Sequence, residues 1–318
     1  MTDDLERVEA ALTDAVQADD DFLTEVASHL IRAGGKRVRP ALTMAAARSS
    51  DADPSSASQE AVLGGVAVEL VHLGSLYHDD VMDDATTRRT VESVNARWGN
   101  LKAILAGDFL LARASEIAAG LGTEVAGLLA ATIARLCEGQ VRELQDAYVV
   151  GRTETAYLAS IEGKTAALFA SSCRIGGIVA GFDRERIEAL TRFGRSYGLA
   201  FQVIDDVLDV VASSEQLGKP AGHDLVEGVY TLPTIRALQG ADGADLAGLL
   251  GRPLEPDEVD AALTLIRSDG AVTASLVTAR GFVDEGRAAL DDLGHSPVVD
   301  AMVAASDVLV TQIADFGV

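Results

Sequence analysis

The sequence predicts an all-α fold, and three observations carry that prediction. Apolar residues recur at steps of three and four along most of the chain, and no stretch alternates with the two-residue period of a strand. Aromatic residues make up only 4%, against an apolar fraction of 48% dominated by Ala, Leu and Val, so the core must close on small side chains, as closely packed helices do. No linker, low-complexity run or composition shift interrupts the 318 residues, which predicts one domain over 1–318.

Taken in order, Leu5, Val8, Leu12 and Val16, then Phe22, Leu23, Val26 and Leu30, give a helical pattern from Asp4 to Arg32. It stops at Gly34-Gly35-Lys36-Arg37-Val38-Arg39-Pro40, where paired glycines end one helix and the proline opens the next. Three cations sit on that turn, either complementing a helix dipole or cradling an anion. Asp53-Pro54 reads as the N-cap and first turn of a long helix reaching about Asp84. A polar loop follows, Thr86 to Thr90, with adjacent Arg88 and Arg89 whose forked guanidinium groups suit phosphate oxygens. Helices are predicted from about Val91 to Arg97, Leu101 to Ala119 and Glu124 to Val149. Thr153 to Ile161 and Ala166 to Val179 form two more, joined by Gly163-Lys164-Thr165, where a kink would place a lysine and a hydroxyl within reach of a ligand. Asp183 caps a further long helix. Beyond it, Ser213 to Tyr230 is longer than an idle loop, and Thr231 to Val318 returns to amphipathic helices.

The chemistry concentrates in two stretches. Asp79-Asp80-Val81-Met82-Asp83-Asp84 ends one apolar helix, and Asp205-Asp206-Val207-Leu208-Asp209 lies within another. A helix turns about 100° per residue, so Asp79 and Asp83 share one stripe and Asp80 and Asp84 the next. Such crowded carboxylates repel one another unless a cation lies among them. Mg²⁺ is the natural candidate, since it prefers oxygen donors and takes one or two carboxylates together with phosphate oxygens and water. Two such helix ends brought together would hold metals and a polyanion, which points to diphosphate chemistry.

With 26 basic and 49 acidic residues the formal net charge is −23, which argues against nucleic acid and anionic lipid as partners. An anionic substrate must then be held by local cations. Cys137 and Cys173 are too few for a disulfide framework and read as buried or idle thiols in a reducing compartment. The acidic N-terminus lacks the form of a signal peptide. Glu69 and His72 interrupt one long apolar run and Arg174 another, so a soluble, cytoplasmic protein without membrane insertion is expected.

In family order the chain carries Gly-Gly-Lys-x-x-Arg, His-Asp-Asp-x-x-Asp, Arg-Arg, Gly-Lys-Thr, Phe-Gln-x-x-Asp-Asp-x-x-Asp, and Gly-Lys-Pro-x-Gly-x-Asp followed by Thr-Leu-Pro. From about Gly34 to Pro233 it therefore resembles the trans-isoprenyl diphosphate synthases, the polyprenyl synthetase family. The resemblance implies a bundle of long helices around a central cavity, usually dimeric. It implies that an allylic diphosphate is condensed head to tail and repeatedly with isopentenyl diphosphate, giving an all-trans polyprenyl diphosphate and releasing diphosphate. About three Mg²⁺ ions, replaceable by Mn²⁺, would be held by Asp79, Asp83 and Asp205, supported by Asp80 and Asp209. Isopentenyl diphosphate would be gripped by Lys36, Arg39, His72 and Arg89, and the allylic diphosphate by Arg88, Lys164, Thr165, Gln202 and Lys219. Arg88 and Lys164, with Asp79, Asp83 and Asp205, would carry catalysis. One departure is Val229, where many relatives have a lysine near the allylic diphosphate. A class I terpene cyclase and a silent subunit of a heteromeric synthase are the competing readings. The second Asp-Asp-x-x-Asp and the pair Lys36 and Arg39 disfavour the cyclase, and the retained aspartates disfavour the silent subunit.

Product length is read from helix geometry. Ser75 and Gly74 lie four and five residues before Asp79, one turn deeper on the same face, with Val71 a further turn down. In relatives that stop at fifteen carbons, an aromatic ring typically closes this level. Each open turn rises about 5.4 Å, close to one five-carbon unit, so the expected product exceeds about twenty carbons, with a geranylgeranyl or shorter product as the alternative.

Overall fold

The computed structural model describes residues 2–50, 56–212, 221–268, 270–311 and 313. The chain is almost wholly helical: α1 (Thr2–Ala15), α2 (Asp21–Ala27), α3 (His29–Arg32), α4 (Val38–Ala47), α5 (Gln59–Met82), α6 (Val94–Trp98), α7 (Asn100–Gly120), α8 (Thr123–Gln145), α9 (Glu154–Ile161), α10 (Ala167–Val179) and α11 (Arg184–Val211). They are followed by α12 (His223–Val226), α13 (Leu232–Ala237), α14 (Gly243–Leu249), α15 (Pro256–Ser268), α16 (Ala271–Asp291) and α17 (Pro297–Thr311). Two compact units are recognisable. One comprises Met1–Ile133, Leu168–Gly194 and Asp292–Met302, the other Ala134–Ala167, Arg195–Asp291 and Val303–Val318.

In the first unit α5 is the core helix, with Val62, Val66, Val68, Leu70, Val71, Leu73 and Tyr77 buried. Each such aliphatic side chain contributes about 1.5–3 kcal/mol by leaving water. Ser58 caps the helix by accepting from the Ala61 amide at 3.1 Å, so it starts later than Asp53-Pro54, which lies outside the described residues. The helix also runs straight through Glu69 and His72. It is long and apolar enough to cross a membrane by length and composition, contrary to expectation, but it is mostly buried within the protein. Against it packs α7, so closely that a Cβ on Gly74 would lie 3.1 Å from the Gly107 carbonyl oxygen. Any side chain at this position would push against the α7 backbone, so the bare Cα of Gly74 permits the short helix-to-helix distance.

The N-terminal helix breaks into three pieces: the 16–20 segment turns and Asp20 recaps α2 by accepting from the Leu23 amide at 2.8 Å, and a second break falls at Ser28, whose hydroxyl donates to the Thr24 carbonyl at 2.6 Å. A larger difference from the sequence reading lies after α5. Thr87–Arg88 and Val91–Glu92 pair as an antiparallel hairpin, so α6 starts at Val94. Its two-residue turn, Arg89 and Thr90, has φ of 52° and 65°, the geometry that matches the twist of paired strands.

In the second unit Tyr157, Ile161, Leu199, Val203, Val207, Tyr230, Leu232 and Ile235 form the centre of the core. The kink expected at Gly163-Lys164-Thr165 is a π-helical turn, Glu162–Ala166, between α9 and α10. Gly139 of α8 makes room for it, since a Cβ there would meet the Lys164 amide nitrogen at 2.3 Å. Cys173 is buried as expected, whereas Cys137 is exposed.

Candidate active site

In the first unit the acidic end of α5 is fixed by its neighbours. Asn95 donates to the carbonyls of Asp80 (2.9 Å) and Ala85 (3.0 Å), and Ser93 donates to the Ala85 carbonyl. Helical phase separates Asp80 from Asp79 and Asp83, while Asp84, on the stripe of Asp80, is exposed because α5 ends at Met82. Asp83 is exposed and Asp79 half-buried, while Asp80 is fully buried. Arg88, carried back by the hairpin, grips Asp80 Oδ1 with Nε at 2.8 Å and Nη2 at 2.6 Å. Burial pushes the Asp80 carboxyl above its ordinary pKa, and Arg88 opposes that shift.

Beside this end lies the basic turn. Lys36 is exposed, and Arg39 is half-buried over the Phe169 ring at 4.3 Å. Arg89 reaches back from the hairpin and donates to the carbonyls of Leu30 and Gly34. A Cβ on Gly35 would fall 2.8 Å from its guanidinium, so the φ of 154° and the bare Cα at this residue serve the same contact. His72, a turn and more below the aspartates on α5, is held neutral, its pKa well below the usual imidazole range through burial and then the fields of Arg39, Arg89, Arg88 and Arg37. The residues assigned to isopentenyl diphosphate thus share one neighbourhood. Of the chain-length residues on the same helix, Val71 is buried, Ser75 is half-buried with its hydroxyl on the His72 carbonyl at 2.8 Å, and Gly74 is turned against α7.

The second unit carries the other cluster. On α11, Asp205 is exposed while Asp206 and Asp209 are buried. Asp206 has both oxygens occupied: the Tyr157 hydroxyl donates to Oδ2 at 2.5 Å and the Gln202 amide to Oδ1 at 2.8 Å. Burial pushes its carboxyl up to about 7, against the pull of those two bonds and with the fields of Asp205 and Glu143 adding to the rise. Gln202 in turn accepts from the Thr165 hydroxyl at 2.7 Å, so Thr165 and Gln202, both assigned to the allylic diphosphate, are bonded to each other. Lys164, on the π-helical turn, pairs with Glu143 of α8. Asp209 accepts from the Asp224 amide at 3.2 Å and, through its own carbonyl, from the Gly222 amide at 2.9 Å. Lys219 lies outside the described residues.

Tyr157, Glu143, Glu69 and Arg37 escaped the sequence reading as site components. Glu143 and Tyr157 act on residues 21 and 49 positions away, and no local spacing announces such pairs. Among the described residues, no three His, Cys, Asp or Glu side chains form a ready-made metal cage. Mg²⁺ needs none, because one or two carboxylates, water and substrate oxygens suffice. The donors fit that demand. Asp79, Asp83 and Asp205 reach solvent, and Asp80 Oδ2 is buried with no hydrogen-bond partner among the described residues.

Fold and site together define a class: an all-helical protein whose acidic helix segments have fixed cations beside them, a chemistry suited to a diphosphate. Comparison with known proteins narrows it. A model of the polyprenyl synthetase family matches residues 20–266. The chain is 39% identical to a nonaprenyl diphosphate synthase of Mycobacterium tuberculosis over 310 residues, 96% of this chain and 91% of that protein. A decaprenyl diphosphate synthase from Rhodobacter capsulatus has a TM-score of 0.91 at 33% identity, covering 98% of this chain and 97% of that one. A polyprenyl synthase from Caulobacter crescentus, complexed with calcium and isoprenyl diphosphate, has a TM-score of 0.91 at 35% identity, with 98% and 95% covered. The chain belongs to the polyprenyl synthetase family. It is a trans-prenyltransferase that joins isoprenyl diphosphates head to tail.

Proposed function

We propose that this enzyme extends an allylic diphosphate with successive isopentenyl diphosphates to an all-trans product longer than about twenty carbons. The observation that carries the reading is a cation held at each acidic motif beside carboxylates that reach solvent: Arg88 grips Asp80, between Asp79 and Asp83, and Asp206, next to Asp205, is bonded through Gln202 to Thr165, the neighbour of Lys164. Mg²⁺ held by Asp79, Asp83 and Asp205 would supply positive charge to the oxygens of the departing diphosphate. Arg88, Lys164, Thr165, Gln202 and Lys219 bind and orient the allylic diphosphate, and their charge counts most as the C–O bond breaks and negative charge gathers on the leaving group. Asp80 keeps Arg88 aimed until a diphosphate competes for it. Lys36, Arg39, His72 and Arg89 hold isopentenyl diphosphate so that its double bond, and no water, meets the allylic cation. The departing diphosphate then takes the proton, and the longer allylic diphosphate can enter another round.

Names of similar proteins support a long product: nonaprenyl, heptaprenyl and decaprenyl diphosphate synthases stand among them, beside a geranylgeranyl diphosphate synthase of Methanosarcina mazei at 36% identity. We read the enzyme as a cytoplasmic protein that works as one domain, and as a homodimer, a reading that the exposure of Leu101 (79%) and Leu105 (64%) on α7 supports. Incubation with radiolabelled isopentenyl diphosphate and primers of ten, fifteen and twenty carbons, then dephosphorylation and sizing, tests the reading. Products beyond about twenty carbons, abolished by EDTA, are expected. Twenty carbons or fewer with every primer would mark a short-chain synthase.

A further inference from the structure

Between Lys36 and Arg39 lies a third cation that points the other way. Arg37 is buried, and its backbone takes a φ of 48° two residues after the positive φ values of Gly34 (84°) and Gly35 (154°). A left-handed arginine costs about 1–2 kcal/mol, so the side chain must hold it there. Nε donates to Glu9 Oε1 at 2.5 Å, Nη2 to Glu9 Oε2 at 3.1 Å and to the Ile31 carbonyl at 3.2 Å, and Nη1 to Glu69 Oε1 at 2.9 Å. Four of the five N–H groups of a guanidinium are thereby engaged, which leaves Arg37 little with which to bind substrate.

Electrostatics give the pair a second task. The fields of Arg37, Arg39, Arg88 and Arg89 all reach His72, and these cations repel one another before any anion arrives. Asp80 answers Arg88; Glu69, its side chain only 3% exposed, is the buried carboxylate on Arg37, and its field acts on Arg89 as well. Removing one partner of such a pair leaves the other charge buried and uncompensated.

We propose that Arg37 and Glu69 are positioning residues for isopentenyl diphosphate: their buried ion pair locks the strained turn so that Lys36 and Arg39 are presented together. This inference rests on the reading of Lys36 and Arg39 as the isopentenyl diphosphate cradle. Glu9, 45% exposed on α1, is the outer clamp of the same lock. With Glu69 neutral, Arg37 keeps one carboxylate instead of two, and the turn must be ordered at each binding event. The loss falls on one substrate.

Steady-state kinetics with each substrate varied separately provide the test, on Glu69→Gln, Arg37→Lys, Glu9→Gln and Lys36→Ala. Glu69→Gln and Arg37→Lys are expected to raise the KM for isopentenyl diphosphate about tenfold or more, with the allylic KM within about twofold and kcat within about threefold of wild type. Glu9→Gln should raise the same KM by about two- to fivefold. An equal rise in both KM values, or a flat isopentenyl diphosphate KM, overturns the proposal. Should Glu69→Gln fail to fold, Glu9→Gln decides by the same criterion, since its carboxylate is half exposed. Lys36→Ala separates the two levels of inference. If it raises the isopentenyl diphosphate KM while the other variants do not, only the lock falls. If it leaves that KM unchanged, the cradle reading falls and the lock with it.

Discussion

Replacing Tyr157 by Phe removes one oxygen from the second unit and tests how the second acidic motif is held. The ring stays, so its packing and the Arg152 guanidinium 5.7 Å from its centroid are kept. What is lost is the 2.5 Å bond from the hydroxyl to Asp206 Oδ2, at a site where the tyrosine is 1% and the aspartate 3% exposed. Water cannot take the place of the lost donor without opening the core. An unsatisfied buried acceptor costs about 1–3 kcal/mol. For a chain of this size that is a fall in Tm of about 1.5–4.5 °C. The kinetic consequence follows the bonds outward, because Asp206 accepts from Gln202 and Gln202 from Thr165, on the turn that also carries Lys164. Loosening one end frees the residues assigned to the allylic diphosphate, so the allylic KM should rise about tenfold, or about 1.4 kcal/mol, while the KM for isopentenyl diphosphate moves less than about twofold. Differential scanning calorimetry and two-substrate kinetics read both effects. A variant with unchanged Tm and unchanged allylic KM would refute the claim that this hydroxyl holds the motif.

Three further outcomes are expected. Asp79→Ala and Asp205→Ala should cut turnover by about three orders of magnitude or more with Tm kept within about 2 °C, whereas Asp80→Ala should lower both, because it strands Arg88; thermal shift beside turnover distinguishes them. Ser75→Phe should shorten the product on sizing of the alcohols, whereas Gly74→Phe is a poor probe, since even a Cβ there meets Gly107 at 3.1 Å and soluble yield should collapse. His72 is neutral in the folded protein, its pKa depressed, while the unfolded chain takes up a proton as pH falls below about 6.5. Its contribution is therefore whole above about pH 6.5 and is lost on acidification at up to about 1.4 kcal/mol per unit, so urea midpoints of His72→Gln should change less than wild type between about pH 7.5 and 5.5. Parallel slopes would show that the His72 imidazole takes up its proton in the folded protein as readily as in the unfolded chain.

Much of the fold was legible because helices announce themselves locally. The three- and four-residue spacing located α5, α7 and α11, and Asp183 caps α11 as expected, accepting from the Arg186 amide at 2.8 Å. The kink at Gly163 was legible too, since a glycine beside a lysine and a threonine is a poor helix interior. The hairpin was not. Each of its strands is two residues long, too short for alternation, and its turn uses Arg89 and Thr90 where glycine or asparagine would have been the signal. The break at 16–20 was missed because Val16 and Phe22 keep helical apolar spacing on either side of it, and the start of α5 was set too early because Asp53-Pro54 has the form of an N-cap whereas Ser58 caps the helix.

In the site, residue types were legible and their states were not. The two copies of Asp-Asp-x-x-Asp look equivalent in sequence, and in each the middle aspartate is buried. What meets it differs. Asp80 faces the guanidinium of Arg88, so its charge is answered by a charge. Asp206 faces a phenol and an amide, neutral donors that leave burial dominant and the carboxyl at about 7. The third positions diverge as well: Asp83 is exposed where α5 ends, while Asp209 is buried within α11 and accepts from the Asp224 amide. Two similar strings thus present different surfaces, with Asp79 and Asp83 reaching solvent in the first and Asp205 in the second. The partners that make the difference lie 8 residues from Asp80 and 49 from Asp206, so the nearer one falls within a readable motif and the farther one becomes visible only once the chain is folded.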